Sequence, residues 1–163
     1  MIFAWKRLAV EGAILAGALI LQQTLVRWMA FGPIRPDLTL LILTAVALRH
    51  GPIAGLYAGL ALGLLQDVYV VDTPGANVLA KCLIGYTLGF FEDKVVKSMP
   101  AMRVLLLGVA FLAHDVVFYL ATGFRGSVFW NALFRQTAPA AVYTLLLGVA
   151  FFYSAARFKS REE

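Results

Sequence analysis

At 163 residues, with 61% hydrophobic and only 14% charged side chains, the chain is too apolar for a soluble domain, in which about a quarter of residues are charged. Its net charge of +5 comes from basic residues scattered singly between apolar runs, which excludes the clustered basic face of a nucleic-acid binder. Cys82 is the single cysteine, so no internal disulfide can form, and one thiol with two distant histidines cannot supply a metal site of familiar spacing.

A helix needs about 20 apolar residues to cross the hydrocarbon of a bilayer. On that measure the sequence predicts an all-α membrane protein, one integral domain over residues 1–163 with about six short transmembrane helices. The first predicted span covers about 8–28. It is too long for a secretion signal, continues into Gln22 and Gln23 and lacks a convincing cleavage site, so it reads as a retained helix. The second covers about 36–48, with Pro36 suited to open a helix, and the third about 52–66. Between them Arg49-His50-Gly51-Pro52 reads as a turn, although fusing the two runs into one long helix is an open alternative. The fourth covers about 76–91, the fifth about 102–122 and the sixth about 138–156. An aromatic, amphipathic stretch at about 124–134 is expected to lie in the membrane interface. Several of these runs are shorter than a perpendicular crossing requires, which implies bilayer thinning or snorkelling.

Lys and Arg at the helix ends set the orientation, because the basic excess marks the cytoplasmic side. With the N-terminus inside, that side holds Lys6, Arg7, Arg49, Lys94, Lys97, Arg103, Arg157, Lys159 and Arg161, against Arg27, Arg35, Arg125 and Arg135 outside. Both termini are therefore expected in the cytoplasm. Trp5, Trp28, Trp130 and Tyr153 fall near predicted helix ends, where amphipathic rings favour the headgroups.

The sharpest pattern is Gly51, Gly55, Gly59 and Gly63, four glycines at intervals of four, with Gly85 and Gly89 repeating the motif on the fourth helix. Such a ridge lets backbones touch, which matters in lipid because apolar burial no longer drives helices together. It can serve packing within the chain, or a docking face for another protein or a second copy. Ionisable groups at membrane depth each cost several kcal/mol unless paired or hydrated. Lys81 and Asp115 lie within ~3 Å of the same depth at 1.5 Å per residue, so an internal ion pair is expected; a proton or substrate route through Lys81, His114 and Asp115 is the functional alternative. Asp67 sits at the end of the glycine helix, where a carboxylate opposes the dipole, so a specific partner is expected, with Arg35 and Arg125 as candidates. Asp72, Thr73 or Asn77 could cap the fourth helix. No Ser-His-Asp or Cys-His arrangement, phosphate loop or converging carboxylate pair is legible, so no catalytic residue, metal or cofactor is expected.

Pro36-Asp37-Leu38, the glycine ladder, Gly63-Leu-Leu-Gln-Asp67, Gly75-Ala-Asn77 and Gly85-Tyr86 through Gly89 together resemble the MreD family of small inner-membrane proteins of bacterial rod-shape determination. The resemblance covers about Pro36 to Gly89, and Lys81 is a polar departure within it. It implies a non-catalytic scaffold and regulator of the elongation complex that inserts peptidoglycan along the cell cylinder. MreC is the implied nearest partner, with MreB filaments and other elongation-complex membrane proteins further off and a homodimer as another option. The resemblance also implies the six-helix fold of the substrate-binding subunits of energy-coupling-factor vitamin transporters. That fold supplies an alternative function, a vitamin-binding subunit with a pocket lined by Asp67, Asn77, Lys81, Tyr86 and Asp115.

Overall fold

The computed structural model describes Gly17, residues 37–68, 73–91 and 100–159, with side chains as far as Tyr153. The described residues are helical with short turns and contain no strand. In chain order they form α1 (Leu38–Asp67), α2 (Ala76–Gly89), α3 (Pro100–Ala121), α4 (Gly126–Ala132), a five-residue π-helical turn (Leu133–Thr137) and α5 (Ala138–Lys159). The predicted span at 8–28 lies outside the described residues apart from Gly17, which is helical and exposed. Among the described residues, three helical runs are long and apolar enough to cross a membrane: Leu38–Asp67, Pro100–Ala121 and Gly126–Tyr153.

The first of these runs is not a straight rod. Gly51 adopts φ 86° and ψ −176°, a conformation foreign to a right-handed helix and open to glycine because it lacks a Cβ. Pro52 then follows as the first residue of the next helical half, where its missing N–H costs nothing. The two halves lie side by side. The Gln66 side-chain amide donates to the Thr39 hydroxyl at 3.1 Å, although 27 residues separate them and a straight helix would hold them ~40 Å apart. The turn expected at Arg49-His50-Gly51-Pro52 is therefore present, and the fused-helix alternative fails on this contact. The halves, residues 38–50 and 52–67, are ~20 and ~24 Å long, against a hydrocarbon core of ~30 Å.

The second half of α1 packs on α2 with backbone against backbone. A methyl group added at Gly55 would strike the Gly85 carbonyl, one at Gly59 the Lys81 carbonyl, one at Gly63 the Val78 backbone, and one at Gly89 the Pro52 backbone. Each step up α1 through 52, 55, 59 and 63 is matched by a step down α2 through 89, 85, 81 and 78, so the seam is antiparallel and in constant register. The glycine ridge is thus used inside the chain. Its expected role as a docking face for a partner or a second copy is ruled out by geometry, because α2 already occupies it.

Around this seam a core forms from Leu40, Leu43, Ala47, Ala58 and Leu62 of α1, Ile84 and Leu88 of α2, Ala110 and Phe111 of α3, and Ala140 and Ala141 of α5. Leu41, Leu107 and Phe152 form a second cluster that ties α1, α3 and α5 together. The aromatic stretch at 124–134, expected in the membrane interface, continues through the π turn into α5. Pro139 gives the reason. It cannot donate to the carbonyl four residues back and its ring crowds that turn, and the extra residue of a π turn relieves both. The amide of Ala138 bonds to the Leu133 carbonyl and closes the wide turn.

Replacing Gly59 with leucine is expected to destroy the α1–α2 seam, because only backbone atoms face it and cannot yield. Gly108→Ala, which meets the flexible Leu145 side chain at 3.2 Å, is expected to cost no more than ~1 kcal/mol. Monodispersity and thermal stability of the two purified variants check the contrast.

Candidate functional site

The chemistry gathers at the end of the bundle where α1 begins and ends, α2 begins and α3 ends. Asp37 is the N-cap of α1: one carboxylate oxygen accepts from the Leu40 amide at 3.0 Å and from the Thr39 hydroxyl at 2.5 Å. Such a cap satisfies N–H groups that have no helical partner. The other oxygen receives the Lys81 ammonium at 2.9 Å. Lys81 is fully buried, while the Asp37 side chain keeps 16% of its surface exposed. The Asp37 amide in turn donates to the Thr144 hydroxyl of α5 at 3.2 Å.

Lys81 also lies 3.4 Å from Nε2 of the buried His114. An ammonium carries only donors, so Nε2 must accept and the ring proton must sit on Nδ1. Nδ1 then donates to Asp115 at 3.0 Å. The second Asp115 oxygen accepts from the Thr137 hydroxyl at 2.6 Å, which leaves Tyr119 to donate to Thr137 at 3.0 Å. The result is one continuous chain of hydrogen bonds, from Gln66 through Thr39, Asp37, Lys81, His114, Asp115 and Thr137 to Tyr119. It joins both halves of α1, α2, α3 and the π turn.

This arrangement corrects the expected Lys81–Asp115 ion pair. The two residues do lie at one level, but Lys81 takes Asp37 as its counter-ion and His114 stands between Lys81 and Asp115. Asp37 already faces inward as a cap, so a lysine reaching it completes two tasks with one carboxylate. The chain also runs sideways. Lys81 is five residues into α2 and His114 seven from the end of α3, ~8 and ~11 Å from the same end of the bundle, so these groups form no route from one face of a membrane to the other.

Asp67 forms a second polar node. Its carboxylate accepts from the amides of Gly75, Asn77 and Val78 and from the Asn77 side chain at 2.9–3.3 Å. The acid that opposes its own helix dipole is therefore the anion at the N-terminus of the next helix. Of the expected arginine partners, Arg35 lies outside the described residues, and Arg125 precedes α4 as its exposed N-cap. Gly75 holds the N-cap position of α2 with φ 89° and no side-chain bond, so capping falls to Asp67 and not to Thr73 or Asn77; Asp72 lies outside the described residues.

Among the described residues, the side chains expected to line a vitamin pocket are engaged elsewhere. Tyr86 points outward and packs edge-on against Phe90 at 5.0 Å, Asp67 and Asn77 bond to each other, and Lys81 and Asp115 belong to the buried chain. A hollow of about 450 Å³ lies nearby, lined by Thr73, Pro74, Gly75, Ala76, Leu79, Ala121 and Thr122, and none of those five residues borders it. Pro36 lies outside the described residues. Sequence reasoning missed Asp37, Thr39, Thr137 and Thr144 as members of the network. The available signal was an Asp immediately before an apolar run, a strong N-cap residue whose second oxygen is free to meet a buried cation.

Neutralising Lys81 alone, as Lys81→Met, strands Asp37 and is expected to cost ~3–5 kcal/mol, with most of that recovered in the D37N/K81M double variant. Asp115→Asn should show no such rescue by K81M; thermal denaturation of the five variants, D37N alone included, measures the couplings. Asp67→Ala is expected to lower stability by ~1–2 kcal/mol and to raise hydrogen exchange at the start of α2.

A family model described as rod shape-determining protein MreD matches residues 9–157 of the chain. No curated protein and no solved structure matches it.

Proposed function

The chain belongs to the MreD family of rod shape-determining membrane proteins, and from that premise we propose that it is a non-catalytic scaffold of the cell-elongation complex. In this reading it resides in the bacterial inner membrane, binds MreC, and helps position peptidoglycan synthesis along the cylinder, with MreB and the wall synthases as more distant members of the same assembly. The observation that carries the reading is the family match over nearly the whole chain.

The interior supports a holding role. Among the described residues, its buried ionisable groups are engaged with one another, and the ladder glycines Gly55, Gly59, Gly63, Gly85 and Gly89 are engaged with backbone. Contact with a neighbouring membrane helix therefore falls to outward apolar faces, of which Ile53, Tyr57, Leu60 and Leu64 on the second half of α1 form one. Association with a second copy would draw on the same kind of surface. We further propose six spans in all, counting the two halves of α1 separately and adding α2 and the run at 8–28, in the manner of the energy-coupling-factor substrate-binding subunits. With nine basic residues at one set of helix ends and four at the other, both termini face the cytoplasm. The positive residues there suit the anionic inner leaflet.

The test is complementation. In a rod-shaped bacterium depleted of its own MreD protein, expression of this chain is expected to restore cell width and to bring MreC down with it from solubilised membranes. Cells that stay round despite normal membrane levels of the chain would overturn the assignment, and a tight vitamin ligand found by thermal shift would replace it with the transport reading.

A further inference from the structure

We propose that His114 makes the buried polar chain an acid-sensitive latch, which holds α3 against α2 only while its imidazole carries a single proton. The inference goes beyond the part played in wall elongation and stands or falls independently of it.

Four ionisable groups meet within one layer: Asp37 at the N-cap of α1, Lys81 on α2, and His114 and Asp115 on α3. Thr137 of the π turn and Tyr119 of α3 close the far side and supply hydroxyls, and the Phe118 ring stacks beside the imidazole at 6.3 Å. In the single-proton state every contact has one donor and one acceptor. A second proton on His114 puts an N–H against the Lys81 ammonium, donor against donor and cation against cation, at a separation of 3.4 Å. The other side of the ring is unaffected, because Nδ1 donates to Asp115 in either state and the carboxylate welcomes the charge. The conflict therefore falls on the α2–α3 contact alone.

Lys81 has little freedom to absorb it. The side chain is fully buried and fixed at its tip by Asp37. Its backbone carbonyl is the surface on which Gly59 rests, within the α1–α2 seam. The strain must then be relieved by movement of His114 and the α3 segment that bears it. With Asp115 as its remaining partner, the protonated ring swings away from α2 and the bundle opens at this end. Asp37 and Lys81 stay joined, so α1 and α2 remain a unit and the hinge lies between that unit and α3.

The test uses the full-length chain in lipid nanodiscs, with thermal stability measured from pH 8 to pH 5 for the wild type and for His114→Gln. Glutamine keeps an acceptor for Lys81 and a donor for Asp115 and has nothing to titrate. The wild type is expected to lose roughly 5 °C or more in Tm between pH 7.5 and 5.5 and to recover it on return, while H114Q changes by less than about half as much. A flat wild-type profile, or the same profile in both proteins, overturns the proposal. Should H114Q fail to fold, nitrogen NMR of the histidine-labelled wild type decides. The chain has only two histidines, and a His50→Gln variant assigns their signals. A His114 ring with a bare Nε2 at neutral pH, which gains its second proton over the same range in which Tm falls, supports the latch; a proton on Nε2 at neutral pH, or no second proton across the transition, overturns it.

Discussion

In the hydrocarbon of a bilayer, apolar side chains gain nothing by leaving lipid for protein, so helices must be held by backbone contact and by polar groups that have no other solvent. This fold meets both demands on one pair of elements. The second half of α1 and α2 touch through glycines whose backbones admit no added atom, and Lys81, whose carbonyl forms part of that seam, sends its ammonium across to the cap of α1. One residue thus joins the close-packed surface and the charged network. The remaining helices are added to this pair by larger side chains, such as Leu107 against Gly148, and by the hydroxyls of Thr137 and Thr144.

The division of labour explains the polar positions. A buried lysine is tolerable only with its counter-ion in place, and a single carboxylate that also caps a helix supplies the counter-ion without introducing another charge. Asp67 follows the same economy at the next turn. It ends one helix, satisfies the exposed amides of the next and fixes the connection between them. Neither carboxylate is left to reach for a solute. The family match places the chain among rod shape-determining proteins, and the polar groups described here turn inward to hold helices together.

Much of this was legible in the sequence, and the limits have physical causes. The glycine interval of four announced a close helix crossing, and Gly51-Pro52 announced a turn, because both signals are local and backbone-determined. The helix at 76–91 emerged as Ala76–Gly89 and that at 102–122 as Pro100–Ala121. What sequence could not choose was the partner across space. Lys81 and Asp115 matched in depth, but depth is one coordinate of three, and the azimuth that turns Lys81 toward Asp37 depends on how α2 sits in the groove of α1. The same holds for Asp67, whose partners lie 8–11 residues ahead on a helix start that the sequence marked only by its own polar residues. The π turn was invisible for another reason: Pro139 says that the helix must adjust, and leaves open whether it breaks, bends or widens.

The doubled-back α1 bears on how such a chain enters a membrane at all. Neither half, at 13 and 16 residues, is long enough to be held stably across the lipid alone, and the backbone groups exposed at the Gly51 bend could not be left in hydrocarbon. The two halves therefore gain from pairing, and the seam that completes them belongs to α2, which lies further along the chain.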